Sequence, residues 1–230
     1  RGVILRTQLP PGLSVTAAEM RGIGVTLVDT LVELHAVDYA AVGLGDLGRP
    51  AGYVARQVQG WAQRYANART HDLADMARAA AWLAEHLPPE RGAALIHNDF
   101  KLDNLVLDPN DLQQVRAVLD WEMATIGDPL MDLGTTLGYW VEATDLPELQ
   151  LIGLSTFPGS LRRREVVARY AAVSGRDVSD VVFYYVFGLF KIAVIAQQIY
   201  FRYHQGHTQD RRFAALDKVV VRKPDASRDE

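Results

Sequence analysis

Cysteine is absent from the 230 residues. That excludes a disulfide framework, a thiolate nucleophile and thiolate metal ligation. An excess of positive charge is absent too. The formal net charge is −4, so nothing marks a general nucleic-acid binder. No basic stretch with an apolar core behind it opens the chain, because Arg1 to Pro10 holds only the short run Val3-Ile4-Leu5. A soluble, cytoplasmic protein is the expectation. Internal repeats and low-complexity tracts are missing as well. The one long apolar run, VVFYYVFGLFKIAVIAQQIY at 181–200, carries Lys191 near its centre and closes on Gln197 and Gln198. A lysine at mid-bilayer is costly, so this run predicts a buried core helix and no membrane partner.

What is present is enough for a full core: 49% of the residues are hydrophobic and 23% charged. The chain reads mainly helical. Gly2 to Arg6 reads as a strand, followed by a turn at Pro10-Pro11-Gly12. Thr16-Ala17-Ala18-Glu19 is a capping box, and Ile23, Leu27, Leu31 and Leu34 recur at helical spacing behind it, ending near His35. Further helices are predicted over about 52–65, 72–87, 161–174, 179–204 and 209–220. Asp128-Pro129 is a helix start, with aspartate as cap and proline in the first turn, and that helix carries Asp132 to about Trp140. Residues 141–160 read as loop, and Arg162-Arg163-Arg164 is a basic run at the next helix start.

The chemistry concentrates in AALIHNDFKLDNLVLDPNDLQQVRAVLDWEM at 93–123. Three short apolar runs bounded by turn signals, Ala93–Ile96, Leu105–Leu107 and Val115–Leu119, read as buried strands. Their ends deliver His97 and Asp99, then Asn104, then Asp120. Two carboxylates and an amide oxygen are hard ligands or proton acceptors, of the kind that suits Mg²⁺ beside phosphates.

H-x-D-x-x-x-x-N followed by an aspartate at a strand end resembles the catalytic core of the kinase fold. His97-Asn98-Asp99-Phe100-Lys101-Leu102-Asp103-Asn104, then Asp120-Trp121-Glu122 and Gly127-Asp128-Pro129, look more like the aminoglycoside phosphotransferase (APH) family than like protein kinases. Within it the sequence is most similar to the branch of kinase-like domains found in acyl-CoA dehydrogenase family members 10 and 11. Leu34-His35-Ala36-Val37-Asp38 and Gly48-Arg49-Pro50-Ala51-Gly52-Tyr53 resemble that branch too.

The resemblance implies an α+β, mainly helical fold: the C-terminal (large) lobe of a protein-kinase-like phosphotransferase. It would span 1–230, with a strand-rich catalytic segment at 93–132 and a helical substrate-side region at 139–220. It implies ATP and Mg²⁺ as cofactors, Asp99 as general base, and Asn104 and Asp120 as the residues that hold metal and nucleotide. Lys101 would offset charge on the transferring phosphoryl group. His97 would prop the loop. Asp128 and Asp132 read as structural caps, with a hold on the catalytic loop as the alternative role of Asp132. Glu122 departs from the D-F-G form, so no Phe-Gly switch is carried over.

A Gly-rich strand–loop–strand and a V-A-x-K lysine do not precede residue 93. The small lobe is therefore expected to be absent, and these residues alone to fold without catalysing transfer. The activity implied is ATP-dependent phosphorylation of a hydroxyl on a small molecule, a hydroxy-acyl or similar metabolite rather than an aminoglycoside. The competing reading is a non-catalytic small-molecule or acyl-binding module on the same fold. Glu142, Asp145 and Glu148, with Arg162–Arg164, Tyr184 and Tyr185, give the expected acceptor side a mixed charge.

Overall fold

A computed structural model describes residues 2–145, 149 and 155–207. Among the described residues six α-helices carry the structure: α1 (Ala17–His35), α2 (Tyr53–Ala68), α3 (Ala74–Glu85), α4 (Pro129–Tyr139), α5 (Arg163–Ser174) and α6 (Val181–His204). Between α3 and α4 lie four short strands, β1 (Ala94–Ile96), β2 (Leu105–Leu107), β3 (Val115–Val118) and β4 (Thr125–Gly127). The helix expected over 209–220 lies outside the described residues, as does part of the 141–160 loop.

The local signals act as the sequence predicts. The Thr16 hydroxyl accepts the Glu19 N–H at 3.2 Å while the Glu19 carboxylate accepts the Thr16 N–H at 2.7 Å, closing the capping box of α1. Asp128 caps α4 by accepting the Leu130 N–H at 2.8 Å, with Pro129 in the first turn.

The strands form two separate antiparallel pairs. β1 pairs with β4, Leu95 opposite Ile126, and β2 pairs with β3, Leu105 opposite Val118. The strand expected at Gly2–Arg6 shrinks to one bridge, in which Val3 exchanges backbone hydrogen bonds with Leu107. Leu5 leaves that edge to bury its side chain completely in the core. β3 is not the buried strand its apolar run suggested, since Arg116 and Ala117 are exposed.

One continuous core joins the helices to the strands. Leu27 and Leu31 of α1 and Phe187 and Phe190 of α6 are buried in it, as expected, while Ile195 is only partly buried. α6 packs against α2, α3 and α4. By length and composition α6 could cross a membrane, yet in this fold it is the central helix of the core. The closest packing is α4 on α6, where Gly134 and Gly188 meet backbone to backbone. A Cβ on Gly188 would lie 2.1 Å from the Gly134 carbonyl oxygen, so only glycine allows this approach.

Candidate active site

β1 ends at Ile96, and the chain then turns through Asn98, whose φ is 67°. A left-handed residue other than glycine persists only where its surroundings hold it, and asparagine is among the few that tolerate the region. The hold comes from Asp132, which is completely buried on α4. Its carboxylate accepts the backbone N–H groups of His97 at 2.7 Å and Asn98 at 2.8 Å, and His35 Nε2 donates to it at 3.2 Å. Burial pushes this carboxyl up, but the hydrogen bonds from His35 and His97 outweigh it, and the net shift is downward.

Asn98 itself is gripped at every polar group. The Tyr53 hydroxyl donates to Oδ1 at 3.2 Å, Nδ2 donates to the Met123 carbonyl at 3.0 Å, and Lys191 Nζ donates to the Asn98 carbonyl at 2.5 Å. Helices α2, α4 and α6 therefore converge on the residue before Asp99.

Asp99 is half-buried and crowded by three side chains. Lys101 Nζ lies 2.9 Å from Oδ2, and Asn104 Nδ2 donates to the same oxygen at 3.1 Å and to the Asp99 carbonyl at 2.9 Å. Tyr139 hydrogen-bonds to the carboxylate, and burial first, then the Asp99 charge, push its hydroxyl well above the ordinary phenol range. Tyr139 thus stays a neutral donor. Its ring also lies 4.6 Å from the Lys101 ammonium. Lys101 is accordingly bound to the putting-together of this cluster rather than loose in solvent.

Asp120 sits at the ladder position after Asn104. The Leu119 N–H donates to the Asn104 carbonyl at 2.8 Å, and His97 Nε2 donates to the Leu119 carbonyl at 2.7 Å. His97 Nδ1 accepts the Asp99 N–H at 3.2 Å, which fixes a neutral ring that ties the Asp99 and Asp120 turns together. Asp120 is left-handed, φ 66° and ψ 54°, and exposed. Among the described residues no hydrogen bond or ion pair reaches its carboxylate, nor does one reach Asn104 Oδ1.

Those two oxygens are unspent hard donors on adjacent turns, a donor set that fits a Mg²⁺ ion completed by water and phosphate oxygens. Among the described residues no group of three or more His, Asp or Glu forms a closed metal cage.

The phosphotransferase enzyme family profile, APH, matches residues 5–166. The chain belongs to this family. It is 35% identical over 210 residues to human acyl-CoA dehydrogenase family member 11 and 33% identical over 211 residues to mouse member 10. Those matches cover 90% and 87% of this chain but 26% and 19% of the relatives, so the chain spans about a quarter of the first and a fifth of the second. A Ralstonia eutropha structure named as a candidate aminoglycoside phosphotransferase superposes with a TM-score of 0.83 at 31% identity, covering 96% of this chain and 67% of that one. A type I macrolide 2′-phosphotransferase superposes at 0.65 with 16% identity over 97% of this chain and 67% of its own, a likeness of fold alone.

Against this APH background, part of the charge expected on the acceptor side is engaged internally. Arg163 forms a two-pronged ion pair with Asp145, and its backbone N–H donates to Glu142 at 2.7 Å. Arg163 and Asp145 thus neutralise each other, Arg162 and Arg164 stay exposed, and Glu148 lies outside the described residues. Sequence reading missed Tyr139, Tyr53 and Lys191 as parts of the site. Lys191 was legible only as an oddity, a lysine inside an apolar run. The signal in α2 was its face of Tyr53, Arg56, Gln57, Trp61 and Arg64, a helical spacing that turns out to look toward the Asn98 loop.

Proposed function

We propose that this chain is the large, catalytic lobe of an ATP-dependent O-phosphotransferase whose acceptor is a hydroxyl of a small molecule, a hydroxy-acyl or similar metabolite in preference to an aminoglycoside. The observation that carries the reading is the pairing of a braced carboxylate, Asp99, with two unspent oxygens on the next turns, Asn104 Oδ1 and the Asp120 carboxylate. Family membership supports phosphotransfer, and the branch relatives support the acyl-type acceptor.

In this reading Asn104 and Asp120 would hold Mg²⁺, which when bound neutralises charge on the nucleotide phosphates. Asn104 would serve both: its amide nitrogen orients Asp99, and its uncommitted oxygen would be a ligand for the ion. Asp99 accepts the hydroxyl proton and fixes the attacking oxygen. Lys101, held between Asp99 and the Tyr139 ring, supplies a cation beside the base as charge builds on the transferring group. Asp132 and His97 do not touch substrate; they hold the turn that carries Asp99. Since catalysis of this kind is positioning and charge stabilisation, the bracing is the protein's main contribution. Leu119, Trp121 and Met123, exposed around Asp120, suit an apolar wall that meets the nucleotide.

The test is labelled-phosphate transfer from ATP to a panel of hydroxy acids, hydroxyacyl thioesters and aminoglycosides, using this chain and any longer natural form of it. Transfer to a hydroxylated acid by the longer form, lost in Asp99→Asn, is expected. Mg²⁺-dependent ATP binding with no transfer to any acceptor would favour a binding module instead.

A further inference from the structure

Two hollows flank the catalytic turn. The one on the Lys101 side is small, about 70 Å³, and mostly apolar. The one on the Asn98 side is about 350 Å³ and lies between α2 and α6, large enough for a small metabolite. Its wall carries Arg49, Arg56, Arg64 and Lys191, and no carboxylate is among its lining residues. In a chain with a net charge of −4, four cations around one cleft are a local reversal of sign.

The state of those cations matters. Lys191 is 2% exposed and makes no ion pair among the described residues; its one hydrogen bond goes to the Asn98 carbonyl, which leaves two of its three donors. A buried ammonium without a carboxylate is costly, and such groups are ordinarily paired. Burial lowers its pKa to about 8, while the charges of Asp132 and Asp99 across the turn act in the opposite direction without touching it. Arg64 lies over the Trp61 ring at 4.7 Å and Arg49 is exposed, and neither makes an ion pair among the described residues. Arg56 donates to the Ala51 and Arg49 carbonyls, holding the turn that presents Arg49.

We infer that this cleft binds an oxyanion carried by the phosphoryl acceptor, a carboxylate or a phosphate, with Arg49, Arg64 and Lys191 as its cationic wall and Asn98 linking it to Asp99. The inference rests on the phosphotransferase reading for the identity of the ligand as acceptor, but the anion site itself is independent of turnover. It sets the substrate class: an acid with a hydroxyl, and not a polyamine.

The experiment is calorimetric binding of glycerol, glycerate, glycerol 3-phosphate and kanamycin to the full chain, with and without a saturating non-hydrolysable Mg·ATP analogue. The first three share a hydroxylated skeleton and differ in charge, and the two acids separate a carboxylate source from a phosphate source. One or both acids should bind, more weakly as salt is raised, while glycerol and kanamycin do not. Arg49→Gln and Arg64→Gln, both exposed positions, should each weaken the acid about tenfold and leave the melting temperature unchanged. Equal affinity for glycerol and the acids, preference for kanamycin, no binding of either acid, or no effect of the arginine changes overturns the inference. Displacement of the acids by the Mg·ATP analogue also overturns it, because the cleft would then hold nucleotide phosphates. Acid binding that persists in a protein unable to bind Mg·ATP would sink the phosphotransferase reading and leave the anion site standing.

Discussion

The two turns that build the site are held in opposite ways. The Asp99 turn is fixed from below by a buried carboxylate, a buried imidazole and donors from two further helices, Tyr53 of α2 and Lys191 of α6. The Asp120 turn lies open, its carboxylate exposed and without a protein partner among the described residues. Both turns use a left-handed non-glycine residue, Asn98 and Asp120. The difference suits the roles proposed for them. A base must be held to a fraction of an ångström, and buried hydrogen bonds do that. A ligand for Mg²⁺ must keep its oxygens uncommitted, because the ion supplies the missing contacts.

The largest effect that would break this contrast comes from Asp132→Ala. It strands the His97 and Asn98 N–H groups and leaves His35 without its acceptor. The expected loss is about 3–5 kcal/mol, the range for breaking a buried pair, and a fall in melting temperature on the order of 10 °C. A calorimetric melt within a degree or two of the parent would show that the turn is held by something else.

Asp99→Ala should leave the melt nearly unchanged and, in any form that shows transfer, slow it about 10²–10⁴-fold, the usual cost of losing a positioned base. Mg·ATP affinity should survive. Near-parental turnover would end the assignment of Asp99 as base.

Asp120→Asn sharpens the contrast from the open side. Asparagine tolerates the left-handed backbone, so stability should move by less than about 0.5 kcal/mol. Metal-dependent nucleotide affinity should fall about 10–100-fold, the range seen even for groups one step removed from a metal. Titration calorimetry showing equal Mg·ATP binding in Asp120→Asn and the parent would remove Asp120 from the metal site.

The smallest expected effect is in the acid limb of stability. The folded-state pKa of Asp132 lies below its ordinary value, so the unfolded chain binds the proton first as pH falls. The stability this contributes is complete above the unfolded carboxylate pKa, about 4, and is lost as pH drops through the lower folded value. Urea midpoints measured between pH 6 and 3 should fall less steeply for Asp132→Asn than for the parent, whose extra slope is this proton. Parallel slopes would assign the acid loss to other carboxylates.

The sequence by itself determined what depends on residues within a turn of one another. The Thr16–Glu19 box, the Asp128-Pro129 cap and the order of Asp99, Asn104 and Asp120 along three short apolar runs all follow from local spacing, and the family resemblance followed from the same residues. Helix ends shifted by up to three residues: α2, expected over about 52–65, runs Tyr53–Ala68. Local signals weaken where tertiary contacts extend a terminus. The Gly2–Arg6 strand failed for a related reason, since a strand needs an edge to pair with and Leu5 found the core instead. Only the tertiary structure could decide that Asp132 meets the two N–H groups before Asp99, that Lys191 reaches the Asn98 carbonyl from 93 positions away, and that Arg163 and Asp145 spend their charges on each other. Such contacts depend on which helix faces pack together. α4 and α6 approach closely because Gly134 and Gly188 let their backbones touch, and that packing, invisible to any local pattern, brings a buried carboxylate and a buried ammonium to the two sides of one turn.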